Sequence, residues 1–316
     1  LTRRLFDRQS AGPGRIACPG LFISGVGAVS ARLTVILLLS AAIAVGGGCA
    51  RLSSSRSALA ELRAVAQGAG FSELQRRAGG FNLLVMHREA QREPAGRVRI
   101  YIEGDGRAWR KRRVASADPT PRTPFAMRLA ARDPAPAVAY IARPCQYLGA
   151  GHGSCAPRYW TSARFAPEIV AALDRMVTWI KRRAGARRLA LVGYSGGGTL
   201  ALLIAAGRHD VNSIVTVAAP LDLATWTRIH GDSPLAGSLN PADLATRLAM
   251  VPQIHLIGAD DGNVPRQVAE AYLARMPTPN AGRARVVPGF DHRCCWIEKW
   301  PELLRRYAPV DGDPPT

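Results

Sequence analysis

A chain of 316 residues with 47% apolar content is long enough for one large α/β domain plus a short extension, and too apolar to be intrinsically disordered. Its 42 Lys and Arg exceed 23 Asp and Glu to give a formal charge of +19, nearly all of it arginine, since lysine stands only at 111, 181 and 299. The arginines are scattered rather than striped and no nucleic-acid motif accompanies them, so a solvated basic surface is expected and a nucleic-acid partner is not.

Residues 1–49 read as a targeting segment. Arg32 precedes an apolar run at 33–45, short for a spanning helix of about 20 residues but of signal-peptide length. Gly46-Gly47-Gly48 and Cys49 follow. Small residues before a cysteine resemble the lipobox of bacterial lipoproteins, with Gly46 where that pattern has leucine. The resemblance implies export, cleavage before Cys49, lipidation of Cys49 and a membrane anchor in the cell envelope, on the periplasmic side.

Residues 50–80 are expected to form a helical extension, with a helix at 57–67, and 81–308 the main domain, with a tail at 309–316. Strands are predicted at 81–87 and at 97–102, where apolar and polar residues alternate. The second runs into the turn Glu103-Gly104-Asp105-Gly106, and the charge run Arg110-Lys111-Arg112-Arg113 follows. The Pro-rich stretch 118–124 opens a helix at 125–131, and a strand follows at 137–142. A Gly-rich loop at 143–161 leads to an amphipathic helix at 162–184, with Ile169, Leu173, Met176, Val177 and Ile180 on one face. Strands at 188–194, 213–219, 253–257 and 285–287 alternate with helices at 198–206 and 264–276. An excursion spans 220–250, and a helix at 296–307 closes the domain. This alternation implies a mostly parallel central sheet with helices on both faces.

The apolar run at 189–192 enters Gly193-Tyr194-Ser195-Gly196-Gly197, a G-x-S-x-G pattern where a buried strand turns sharply into a helix. Such a turn needs small neighbours, exposes the serine hydroxyl, and sets the Gly196 N–H at a helix N-terminus where negative charge is favoured. Ser195 is equally suited to capping that helix. The chain order that follows separates the two readings: a strand-end aspartate, then a late histidine, His292, in the loop after the last strand. A serine hydroxyl is a weak nucleophile and needs such a base. Of the other histidines, His87 and His255 fall within strands, His209 follows a helix, and His230 and His152 lie in loops, His152 being the reserve.

The pieces Gly193-Tyr194-Ser195-Gly196-Gly197, Gly258-Ala259-Asp260-Asp261-Gly262-Asn263-Val264-Pro265 and Gly289-Phe290-Asp291-His292 resemble the α/β-hydrolase superfamily, from about 81 to 307. Within it, the segments at 101–106, 144–147 and 238–241 resemble a group of uncharacterised bacterial lipoprotein-like hydrolases. The resemblance implies the α/β-hydrolase fold and a triad of Ser195, Asp261 and His292, with Asp260 and Asp222 as alternative acids. It implies an oxyanion hole formed by the backbone N–H groups of Gly196 and Asp105, the Gly106 N–H being next in position. A Glu and an Asp in that turn bring negative charge to the oxyanion, so their side chains must point away or bond nearby arginines.

In an exported chain, Cys145 and Cys155 can close a local disulfide, whereas Cys294 and Cys295 are free, bonded to each other or linked to the other loop. No metal constellation, phosphate loop or dinucleotide pattern is present, and no cofactor is expected. The expected activity is a serine esterase forming an acyl-enzyme with a small-molecule ester. Peptide or amide hydrolysis on the same triad is the alternative, and a non-catalytic envelope binding protein is the rival from another class.

Overall fold

The computed structural model describes residues 56–89, 96–111, 114–149, 153–277 and 282–307. The chain divides into Leu1–Cys49 and Ala50–Thr316. All strands of the central sheet and both apolar clusters belong to the second unit, which therefore has a core of its own. The leader with Cys49, the tail at 309–316, His152, Arg112 and Arg113 lie outside the described residues.

Eight strands form the sheet: β1 (Ser72–Ala78), β2 (Phe81–Arg88), β3 (Arg97–Ile102), β6 (Val138–Ile141), β7 (Arg188–Tyr194), β8 (Val211–Val217), β9 (Gln253–Gly258) and β10 (Gly282–Val287). Their order is β1-β2-β6-β3-β7-β8-β9-β10. β1 and β2 pair antiparallel, as do β2 and β6, and the remaining neighbours are parallel. The central strands carry continuous apolar runs because both faces are covered: β6 and β9 are buried along their whole length.

The helices are α1 (56–68), α2 (Phe125–Ala131), α3 (Pro167–Arg183), α4 (Gly196–Ala205), α5 (Leu223–His230), α6 (Arg266–Leu273) and α7 (Trp296–Tyr307). α3 buries Ile169, Leu173, Met176, Val177 and Ile180, the face expected from its spacing. It starts at Pro167 rather than 162, because proline's fixed φ and missing N–H suit a first helical position. α7 is tied to the sheet through a buried polar chain in which Trp300 Nε1 donates to Tyr101 Oη at 2.9 Å and Tyr101 donates to Asp133 at 2.6 Å. No helix among the described residues is long and apolar enough to cross a membrane.

Two elements depart from the expected organisation. The segment 50–80 is not only helical, because β1 continues the sheet as its edge and α1 buries Ala58, Leu62 and Ala66 against the domain. β1 is mostly exposed, so no apolar period marks it. It is held by pairing across the two-residue turn Gly79-Gly80, where both φ values are positive, as a tight hairpin requires. The second departure is a separate two-stranded hairpin, β4 (Trp109–Lys111) with β5 (Val114–Ala115), at the charge run.

Candidate active site

The site gathers at the carboxyl ends of the parallel strands. β7 ends in Tyr194, and Ser195 follows with φ 51° and ψ −128° before α4 begins at Gly196. A non-glycine residue at positive φ costs about 1–3 kcal/mol and persists only where its surroundings enforce it. They do so here. A Cβ on Gly193 would overlap the backbone of Gly197, and one on Gly197 would overlap the carbonyl of Ile102, so the turn closes only around glycines. Ser195 is half-buried between buried neighbours, and its side chain makes no capping hydrogen bond, which removes the capping reading.

His292 sits in the loop after β10. Its Nδ1 lies 3.0 Å from Asp261 Oδ2. Asp261 is buried, and its Oδ1 accepts from the backbone N–H groups of Asn263 (2.9 Å) and Val264 (2.8 Å), which fixes the carboxylate's orientation. Asp260 is exposed. Asp222 caps α5, accepting from Ala224 N at 3.0 Å and Thr225 N at 3.2 Å. Of the three aspartates considered, only Asp261 therefore meets His292. On the far side of the ring, Asn263 Nδ2 lies 3.2 Å from His292 Nε2. The imidazole loop is held to the serine turn by Tyr194, whose hydroxyl donates to His292 O at 3.0 Å and whose ring stacks on Phe125. Trp296 Nε1 donates to Asp291 O at 2.9 Å from the start of α7.

The turn after β3 packs against the serine: a Cβ on Gly104 would come 3.3 Å from Ser195 Cβ. Gln146 Nε2 donates to Gly104 O at 2.9 Å. Because a trans peptide sets C=O and N–H on opposite sides, this bond turns the Asp105 N–H away from Gln146. Both acidic side chains of the turn are accounted for. Glu103 is buried and accepts from Gly104 N (3.0 Å), Ala126 N (3.3 Å) and Tyr140 Oη (3.1 Å). Burial pushes its carboxyl up to about 7, against the pull of those donors. The Asp105 carboxylate lies against Gly196, where an added Cβ would overlap its Oδ1. It is clamped by two arginines, Arg143 Nη1 on Oδ1 and Arg164 Nη1 on Oδ2 at 2.7 Å. Their side chains are only 4% and 6% exposed. Burial and the neighbouring Arg164 draw the Arg143 guanidinium down to about 9, and burial draws Arg164 to about 10, so both are charged at neutral pH.

Arg143, Arg164, Gln146, Tyr194 and Asn263 were not singled out by the sequence. Arg143 lies two residues beyond the buried strand β6, near a strand end that in open α/β sheets faces the ligand crevice. That was the available signal. Of the other described histidines, His255 is buried on Thr216 Oγ1 at 2.9 Å, and His230 Nε2 meets the carbonyl of Asn263, whose side chain faces His292, at 2.7 Å. Cys145 and Cys155 are joined, with Cα atoms 5.6 Å apart, which fixes the loop carrying Gln146. Cys294 and Cys295 are bonded to each other, one of the three arrangements left open by the sequence.

No family model matches the chain, and no curated protein matches it. Among solved structures it is similar to Est1E from Butyrivibrio proteoclasticus, at 13% identity and TM-score 0.54, over 74% of this chain and 96% of that one. It is also similar to an alpha-beta serine hydrolase homologue from Coxiella burnetii (14%, TM-score 0.51, 74% and 94%). A third is the proline iminopeptidase of Mycobacterium smegmatis (14%, TM-score 0.52, 74% and 95%). At such identities the likeness speaks for architecture: with its strand order, sharp serine turn and helix-covered sheet, this chain has the α/β-hydrolase fold.

Proposed function

We propose that the chain is a serine hydrolase that cleaves carboxylic esters of small molecules through an acyl-enzyme on Ser195, in the bacterial cell envelope. The observation that carries the reading is the pairing of His292 with buried Asp261, in a loop tied through the Tyr194 hydroxyl to the turn that holds Ser195 at positive φ. In this mechanism Ser195 Oγ attacks the ester carbonyl while His292 Nε2 takes its proton. Asp261 holds the Nδ1–H tautomer and offsets the charge of the imidazolium. The Gly196 N–H at the start of α4 and the Asp105 N–H receive the oxyanion. His292 then passes the proton to the leaving alcohol, and a water repeats the sequence to release the acid and regenerate Ser195. The envelope location rests on the leader pattern and on the disulfide-forming cysteines, which favour an oxidising compartment. Lipidation at Cys49 belongs to the same proposal.

The test combines fluorophosphonate labelling with turnover of short-chain p-nitrophenyl esters. Wild type labels and turns over; Ser195→Ala does not label. Ser195→Ala and His292→Ala each lower turnover by about a thousandfold or more with the melting temperature retained, since members of a triad act as a unit. Asp261→Asn costs more than Asp260→Asn or Asp222→Asn. Absence of labelling in wild type would overturn the hydrolase reading, and a larger loss from Asp222→Asn would reassign the acid.

A further inference from the structure

The oxyanion turn leads, through Arg107 and Ala108, directly into the β4–β5 hairpin. This hairpin stands apart from the central sheet as its own two-stranded pair, with Trp109 opposite Ala115 and Lys111 opposite Val114. All three residues of β4 are exposed, and Trp109 and Val114 keep 46% and 48% of their surface open. Among the described residues neither Arg110 nor Lys111 takes part in an ion pair. The base of the hairpin is fixed. Ser116 N donates to Ala108 O at 2.9 Å, Arg107 N donates to Pro119 O at 2.9 Å, and Trp160 Nε1 donates to Ser116 O at 2.9 Å. This hydrogen-bonded base thus holds an exposed indole, an exposed valine and two exposed cations a few residues beyond the carboxyl end of β3, the end of the sheet where the candidate site lies.

Water is a poor environment for this combination. A two-stranded pair has little stability of its own, and an exposed indole with a neighbouring aliphatic side chain loses contact with any apolar partner. The boundary of a bilayer suits each group. Indoles concentrate at the headgroup level, valine reaches the acyl edge, and Lys and Arg are drawn to anionic phosphates. Strands of three and two residues are far short of the 9–11 residues a spanning strand requires, so such an element rests on a membrane and does not cross it. Nucleic acid would use the cations and stack on the indole, but it leaves Val114 without a role. We propose that the β4–β5 hairpin is a docking element for an anionic phospholipid surface, which brings the site's mouth against the bilayer. The inference goes beyond the hydrolase reading, and its measurement is binding, so the two stand or fall separately.

The experiment uses the Ala50–Thr316 unit and co-sedimentation with vesicles of mixed phosphatidylglycerol and phosphatidylcholine, against pure phosphatidylcholine, at low and high salt. Wild type binds the anionic vesicles preferentially, loses binding as salt rises, and shows a blue shift of tryptophan emission on binding. Arg110→Gln with Lys111→Gln weakens low-salt partitioning by about thirtyfold, the effect of two cations near an anionic surface. Trp109→Ser with Val114→Ser lowers partitioning and removes the blue shift. Trp109→Phe keeps partitioning, and serves as the readout if the double serine variant does not fold. Arg187→Gln with Arg188→Gln, at the opposite end of β7, is the control for overall charge and leaves binding near wild type. Absence of wild-type binding, unchanged binding in both hairpin variants, or equal loss in the control pair would each overturn the proposal. So would hairpin variants that lose duplex DNA binding but keep vesicle binding.

Discussion

Asp105 meets two opposed requirements. Its backbone N–H is one proposed oxyanion donor, while its side chain places a carboxylate against Gly196, the residue proposed to supply the other. A lone carboxylate there would oppose the developing oxyanion. Arg143 and Arg164 cancel it, two guanidinium groups on one carboxylate, and leave the local balance positive. Removing one partner of a buried charge pair costs about 3–5 kcal/mol, largely because the other charge is left uncompensated. Arg143→Gln is therefore expected to lower kcat on a neutral ester by about a hundredfold, the scale of losing an oxyanion donor, with KM nearly unchanged. Adding Asp105→Asn removes the stranded carboxylate and should restore most of the lost kcat. Steady-state kinetics of both single variants and the double decide the matter; a double variant no faster than Arg143→Gln would show that charge cancellation is not the role of the clamp. That Glu103 and Asp105 must point away or find arginines follows from the sequence. Which arginines does not, because Arg143 and Arg164 stand 38 and 59 positions along the chain from Asp105 and reach it only once β6 has paired with β3.

Among the elements, α1 and β1 depart furthest from the expected boundary at residue 81. Leu62 is fully buried and Ala58 and Ala66 nearly so, at a spacing of four that marks one helix face. β1 pairs with β2 along its whole length and so takes the edge position that would otherwise expose the backbone groups of the apolar strand β2. Burying one leucine contributes about 2 kcal/mol, and an open apolar edge promotes association. A chain beginning at Phe81 is thus expected to aggregate or to melt without cooperativity, whereas Ala50–Thr316 melts in a single transition. Calorimetry and size-exclusion chromatography of the two forms provide the check; a soluble, cooperative 81–316 would show that α1 and β1 are dispensable. The Gly79-Gly80 pair stands in the sequence where a hairpin turn could be sought, but the reading of 50–80 as a helical extension passes over it, and β1 itself carries no signal. An edge strand wet on both faces has no apolar alternation to display.

At the scale of the whole molecule, buried titratable groups give stability a pH dependence. The Glu103 carboxyl is raised from 4.5 to about 7 in the folded protein, so between those values the folded state holds a proton that the unfolded state has released. Its contribution is intact below pH 4.5 and is lost as pH rises through about 7, a loss of about 3 kcal/mol. His255 acts in the opposite sense. Burial lowers it from 6.5 to about 3, so folding excludes a proton that the unfolded imidazole binds, and stability rises with pH up to 6.5. The two partly cancel in wild type, and the informative quantity is the difference from Glu103→Gln. The variant keeps an amide oxygen to accept from Gly104 N and Ala126 N but has no charge to bury. Its urea midpoint is expected to gain on wild type progressively from pH 5 to pH 8; a constant offset across that range would mean that Glu103 is ionised at little cost.

The alternation of strands and helices, the glycine-framed serine turn, the serine–aspartate–histidine order and the local cysteine pair are all legible along the chain. Each of these is written in contiguous residues: apolar runs, small residues where backbone approaches backbone, and charged or polar groups at strand ends. Tertiary structure alone decided which of Asp222, Asp260 and Asp261 meets His292, because all three follow strands and only packing orders them. It also decided that Tyr194 tethers the histidine loop, that Gln146 and two arginines hold the turn after β3, that β1 closes the sheet edge, and that Trp109 and Val114 stand in solvent beside two cations. These arrangements join residues tens of positions apart, where the fold supplies the proximity and no local pattern records it.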